Sequence, residues 1–143
     1  MVDVRTLYRQ NAAGGATPVG QVIALYEQIV EDLRRAETAI DETQIERRTH
    51  AINHALLVIG HLESKLNRQV GGKIAQALDH FYVMSRRRLL EAQLNSSKTI
   101  VEEQIALWLD LRDAWTQVDR AEAAHPPAAA ASTGSTSGTG WSG

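Results

Sequence analysis

The chain has 143 residues, 43% of them apolar but only 5% aromatic, and a formal charge of −2. That length suits one domain with a sizeable core, and the near balance of charge gives no general pull toward nucleic acid or an anionic membrane. The absence of cysteine excludes disulfides, zinc–thiolate sites and thiol catalysis.

Residues 1–16 carry Leu7 and Tyr8 among polar groups, then Ala12-Ala13-Gly14-Gly15, and read as a flexible arm. The amino terminus lacks the apolar region of a signal peptide, and no stretch reaches transmembrane length. A soluble cytoplasmic protein without membrane insertion is therefore expected. Thr17-Pro18 offers an N-cap followed by proline at the first helical position. Val19, Val22, Ile23, Tyr26, Ile29, Val30, Leu33 and Ile40 then recur at helical spacing, so the first helix ends near Asp41.

Thr43-Gln44-Ile45-Glu46 has the form of a capping box. It opens a second stripe of Ile45, Ile52, Leu56, Ile59, Leu62 and Leu66. Gly71-Gly72 breaks that pattern, and the third helix begins near Lys73. Its apolar residues run along two sides. Ile74, Leu78, Phe81, Tyr82, Leu89 and Ala92 share one face, whereas Val83, Leu90 and Leu94 fall nearly opposite. One stripe is enough to join a core, so the second reads as a docking surface. Asn95-Ser96-Ser97 closes this helix and caps a fourth, in which Val101, Ile105, Trp108, Leu111, Trp115 and Val118 form the core stripe.

Short links force sequential helices to run antiparallel. The expected fold is all-α: an up-down-up-down four-helix bundle over 17–120, after the arm. The Ala/Ser/Thr/Gly-rich tail over 121–143, with Trp141 inside it, reads as disordered.

Candidate chemistry is sparse. His50, His54 and His61 align along one side of the second helix, a spacing that can chelate zinc. The stripe lies opposite the core, with no carboxylate placed to hold the imidazoles, so a solvated face is expected and no metal is assigned. A di-iron centre would need inward Glu-x-x-His motifs on two helices, which the sequence lacks. There is no nucleophile elbow, P-loop or dinucleotide turn, so neither an enzyme nor a cofactor is expected. Asp110, Asp113 and Arg112 read as a surface ion cluster, and Arg86-Arg87-Arg88 as a solvated run pairing with Glu91 or an aspartate of the fourth helix. What survives is protein binding, with Leu57 and Val58 of the second helix and Val83, Leu90 and Leu94 of the third flanking a shallow groove for an amphipathic helix.

Several short motifs occur together in an order that resembles one family. Tyr8-Arg9-Gln10-Asn11, Thr17-Pro18 and Leu25-Tyr26, then Tyr82 with Arg87-Arg88-Leu89-Leu90-Glu91-Ala92, then Leu111-Arg112-Asp113-Ala114-Trp115 are similar to the flagellin-export chaperones, the FliS family. The resemblance runs from about Leu7 to Val118. It implies a cytoplasmic chaperone that binds the C-terminal segment of flagellin, prevents premature polymerisation and delivers it to the flagellar type III export apparatus, with export gate components as further partners. It also implies that Tyr8 and Leu7 fold back over the binding surface until flagellin displaces them; packing of Tyr8 on the bundle end is the alternative. Where the family often has further tyrosines, this chain has Met84 and Arg86. The partner-binding set expected is Tyr8, Leu57, Val58, Tyr82, Val83, Met84, Arg87, Leu90 and Leu94. A helical adaptor for some other amphipathic helix is the competing reading.

Overall fold

Thr17 and Pro18 start the first helix as their chemistry requires. The Gly20 N–H donates to Thr17 Oγ1 (2.9 Å), and Pro18 occupies a position whose missing N–H costs nothing. The computed structural model describes residues 17–69 and 72–124. They form four helices and, among the described residues, no strand: α1 (Pro18–Asp41), α2 (Ile45–Gln69), α3 (Gly72–Asn95) and α4 (Lys98–Ala124). The last runs four residues past the boundary expected from composition. The arm with Tyr8 and the segment containing Trp141 lie outside the described residues.

Both tight connections use the same closure. Thr43 N–H donates to the Ile40 carbonyl (3.1 Å) and Gln44 N–H to the Ala39 carbonyl (2.8 Å). This ends α1 in a Schellman motif, with Thr43 in the left-handed region at φ 55°. At the end of α3, Ser96 takes the corresponding position at φ 50°, and Ser97 N–H reaches the Ala92 carbonyl (3.1 Å). Ser97 also caps α4, its Oγ accepting from Ile100 N–H (3.2 Å). The expected capping box at Thr43 does not form. Thr43 is spent on terminating α1, and Gln44 supplies the first carbonyl of α2, to Arg48 N–H (3.0 Å). A β-branched residue is strained at positive φ. Thr43→Gly should therefore raise the unfolding free energy by about 0.5–1 kcal/mol, after the greater freedom of glycine in the unfolded chain is deducted. A lowered melting temperature would show that the strain is absent.

The helices follow one another around the bundle, and α1 also packs on α4, which closes it. The four are not equivalent. α1 buries a broad face, Leu25, Tyr26, Ile29, Val30, Leu33, Ala36 and Ala39 among it, and packs extensively on both α2 and α4. α3 buries only the narrow seam Leu78, Tyr82, Ser85, Leu89 and Ala92, at alternating steps of four and three. It packs least, and most of its circumference is left to solvent.

At the centre Trp108 stacks on Tyr82 (5.9 Å between centroids) and meets Tyr26 and Phe81 edge-on (5.3 and 4.9 Å). Its Nε1–H donates to Ser85 Oγ (3.0 Å), and Ser85 in turn donates to buried Gln104. The Tyr26 and Tyr82 hydroxyls pair at 2.8 Å. Burial keeps both phenols protonated: it pushes Tyr82 up to about 12, and Tyr26 is raised as well. Three expected core positions lie outside this arrangement. Ile45 is 61% exposed and Ile74 62%, each in the first turn of its helix; Val118 is exposed toward the C-terminal end of α4.

Candidate functional site

The apolar surface left over by this packing concentrates on the seam between α3 and α4. The relative height of the two helices is set by Arg88, which donates to Glu103 (2.9 Å) and Glu91 (2.7 Å), and by Ser85 with Gln104. One turn from the Arg88–Glu103 pair, Met84 on α3 stands level with Leu107 on α4. Successive steps bring Phe81 level with Leu111, Ala77 with Ala114, and Ile74 with Val118. All eight are apolar. Phe81 and Leu111 are half-buried against the core and form the floor, while the other six are exposed. The result is a groove about 17 Å long at 1.5 Å per residue, from Leu107 to Val118. The Arg88–Glu103 pair closes one end, and small side chains form a waist at Ala77 and Ala114.

The expected binding residues fall in three places. Met84 lies in this groove. Val83, Arg87, Leu90 and Leu94 follow one another along the outer ridge of α3 at steps of four, three and four; Leu94 is 85% exposed and Val83 half-buried. Leu57 is exposed on α2, on the other side of the ridge. The seam between Leu57 and Leu90 is crossed by polar groups: Arg86 pairs with Glu63, and Gln93 meets Arg48 (3.1 Å). That side is accordingly a weaker apolar surface than the α3–α4 groove, which sequence reasoning missed.

Two assignments are corrected. Val58 is 0% exposed, because α2 packs on both α1 and α3 and needs a wider buried stripe than one neighbour would demand. Tyr82 is also buried, held by the Tyr26 hydroxyl and the Trp108 ring. Neither presents surface to a partner in this arrangement; Tyr82 instead supports Phe81, whose ring it meets edge-on (6.3 Å).

The histidine stripe is corrected as well. The His54 side chain is only 11% exposed, and its Nδ1 lies 2.6 Å from Oδ2 of Asp32, a fully buried carboxylate on α1. Gln28 donates to Asp32 Oδ1 (3.0 Å), and Arg35 stands 3.6 Å away. The carboxylate that holds this imidazole comes from the neighbouring helix, so spacing along α2 could not reveal it. Among the described residues no cluster of three or more metal-ligating side chains occurs. A second concavity of about 660 Å³ opens near the α1–α2 turn, where Arg34, Arg35 and Arg47 are balanced by Glu31, Glu42 and Glu46.

Burial raises Asp32 above the ordinary carboxylate range, against the opposing pull of His54, Gln28 and Arg35. The folded chain thus holds this proton to higher pH than the unfolded chain, whose aspartate titrates near ~3.9. The stability that follows is fully present below that value and is lost as pH rises through the folded one. Relative to Asp32→Asn, the wild type should therefore lose melting temperature as pH rises above about 4. The opposite slope would mean that His54 and Arg35 outweigh burial.

Among the described residues no helix is long and apolar enough to cross a membrane. The family model described as flagellar protein FliS matches residues 2–122. The flagellar secretion chaperone FliS of Bacillus subtilis is 29% identical over 117 residues, covering 82% of this chain and 86% of its own length. That of Campylobacter jejuni is 30% identical over 115 residues, covering 80% and 90%. The flagellar secretion chaperone FliSB of Pseudomonas aeruginosa is 30% identical over 100 residues, covering 70% and 79%. The tail beyond residue 122, with Trp141, lies outside the family match.

Proposed function

This chain belongs to the FliS family, and on that premise we propose that it is a cytoplasmic flagellar export chaperone whose client is the C-terminal helical segment of flagellin. It binds that segment, prevents premature polymerisation and delivers it to the flagellar type III export apparatus. The observation that carries this reading is the α3–α4 groove: eight apolar side chains at matched heights, on the two helices whose outer faces are least covered.

A segment that packs against its own copies in a filament must expose an apolar face, and such a face self-associates unless another apolar surface covers it first. The groove is one helix wide and offers anchors at the spacing an amphipathic helix presents. The client continues over the α3 ridge, meeting Val83, Arg87, Leu90 and Leu94 and reaching Leu57 on α2. Contact on both sides of α3 offsets the entropy that a folding client loses. Tyr8 in the arm competes for the same surface.

The test is calorimetric titration with the last forty or so residues of flagellin from the same genome, a length that spans several client helices. One-to-one binding with a negative heat-capacity change is the expected result, because burial of apolar surface carries that signature. Absence of heat and of co-elution would return the chain to an adaptor for another amphipathic helix.

A further inference from the structure

The rims of the α3–α4 groove are charged, and oppositely. On the α3 side the cations Lys73 and Arg87 stand fourteen residues apart with neutral His80 midway, all three exposed. On the α4 side Asp110 is exposed and, among the described residues, unpaired, with Glu103, already held by Arg88, and neutral Gln117 each seven residues away. Seven residues are almost two whole turns, so each set forms a row along its helix. Both rows lie on the solvent side of the apolar lining, one on each wall.

The neighbouring charges are already committed. Arg86 is tied to Glu63, and Arg88 to Glu91 and Glu103. Lys73, Arg87 and Asp110 have no ion-pair partner among the described residues. A groove with an apolar floor, a basic wall and an acidic wall has the charge pattern by which coiled coils choose partner and direction through their flanking positions.

We propose that this groove reads charge as well as shape. Its occupant is an amphipathic helix of the client with acidic residues on the flank lying against α3 and basic residues on the flank lying against α4. A helix reversed end for end would exchange its flanks, setting acid against Asp110 and base against Arg87. The two rows therefore fix the direction in which the client helix lies. This rests on the chaperone reading only for the origin of the helix; the recognition is a property of the groove.

The test uses three helical peptides of about 18 residues, or five turns, with one leucine face in common. One carries glutamate on one flank and lysine on the other, one glutamate on both, and one lysine on both. At low salt the mixed peptide should bind about five- to tenfold more tightly than either uniform peptide, the sum of a few exposed charge pairs. The difference should shrink at high salt. Asp110→Lys, which makes both walls basic, should transfer the preference to the all-glutamate peptide while leaving the melting temperature unchanged. Direction is read with a single cysteine introduced at Val118, since the chain has none of its own. It should form a disulfide with a cysteine at one end of the mixed peptide and not at the other.

Equal affinity for the three peptides, with Leu107→Asp abolishing all of them, would overturn charge reading and leave the groove as the seat. Failure of all three peptides while the flagellin segment binds would overturn this proposal and spare the chaperone reading. Mixed-peptide selectivity without flagellin binding would do the reverse. A dimer in light scattering that Leu107→Asp dissolves would show that a second copy of the chain occupies the groove, and would overturn the proposal.

Discussion

Leu107→Asp should reduce affinity for the flagellin segment about thirtyfold or more while barely moving the melting temperature. Leu107 is 44% exposed in the free protein and makes part of one wall of the α3–α4 groove, level with Met84. A carboxylate there stays hydrated in the free chain, so folding loses little. On binding it must be desolvated within the apolar lining of the groove, where leucine loses nothing by burial and a carboxylate loses its hydration. Penalties of that kind run to about 2–4 kcal/mol at the centre of an interface. Leu90→Asp, on the α3 ridge, should also weaken binding without unfolding the bundle, but by less, since polar groups flank that side. If Leu107→Asp binds normally and Leu90→Asp does not, the client lies between α2 and α3. A large drop in melting temperature for Leu107→Asp would instead place that side chain in the core.

Trp108→Ala should cost about 3–5 kcal/mol of stability, the range for deleting a buried aromatic, and a large share of what a bundle of this size possesses. Trp108 is wholly buried and touches the rings of Tyr26, Phe81 and Tyr82, so its loss opens a cavity lined from three helices. It also leaves Ser85 Oγ without its donor. Denaturant unfolding, with the slope on denaturant concentration unchanged, is the measurement. Because Trp108 supports Phe81, which floors the groove, client affinity should fall with it. A loss below about 1 kcal/mol would mean that the neighbouring rings collapse into the space.

These two residues show what kind of information each level carries. Trp108 is legible as core from its place in a stripe that repeats along its own helix. Leu107 looks unremarkable in sequence, being one more apolar residue next to a buried one. It becomes part of a site only because α3 brings Met84 level with it, and that height is set by contacts such as Arg88 with Glu103 and Ser85 with Gln104.

Val58 and His54 make the same point from the other side. Along the chain both look like surface, because the width of a buried stripe depends on how many neighbours a helix has. With α1 and α3 both against α2, the buried arc widens to take in Val58 and most of His54, and a carboxylate on α1 receives the imidazole. The Thr43–Glu46 motif failed for a related reason. One residue cannot end α1 in a left-handed turn and cap α2 at once.

Local sequence specifies four helices, the starts of the first and fourth at Thr17 and Ser97, and most of the core. Hydrophobic period and capping are local, acting within a turn or two of chain. It also carried the family motifs, whose order along the chain needs no structure to be read. Which seam stays open follows from how the four helices assemble. Pairing between helices depends on their rotation and offset, which are set by the packing of the whole bundle and by no single segment. α1 takes the broad contacts and α3 the narrow seam, so the uncovered apolar surface collects between α3 and α4, between walls of opposite charge.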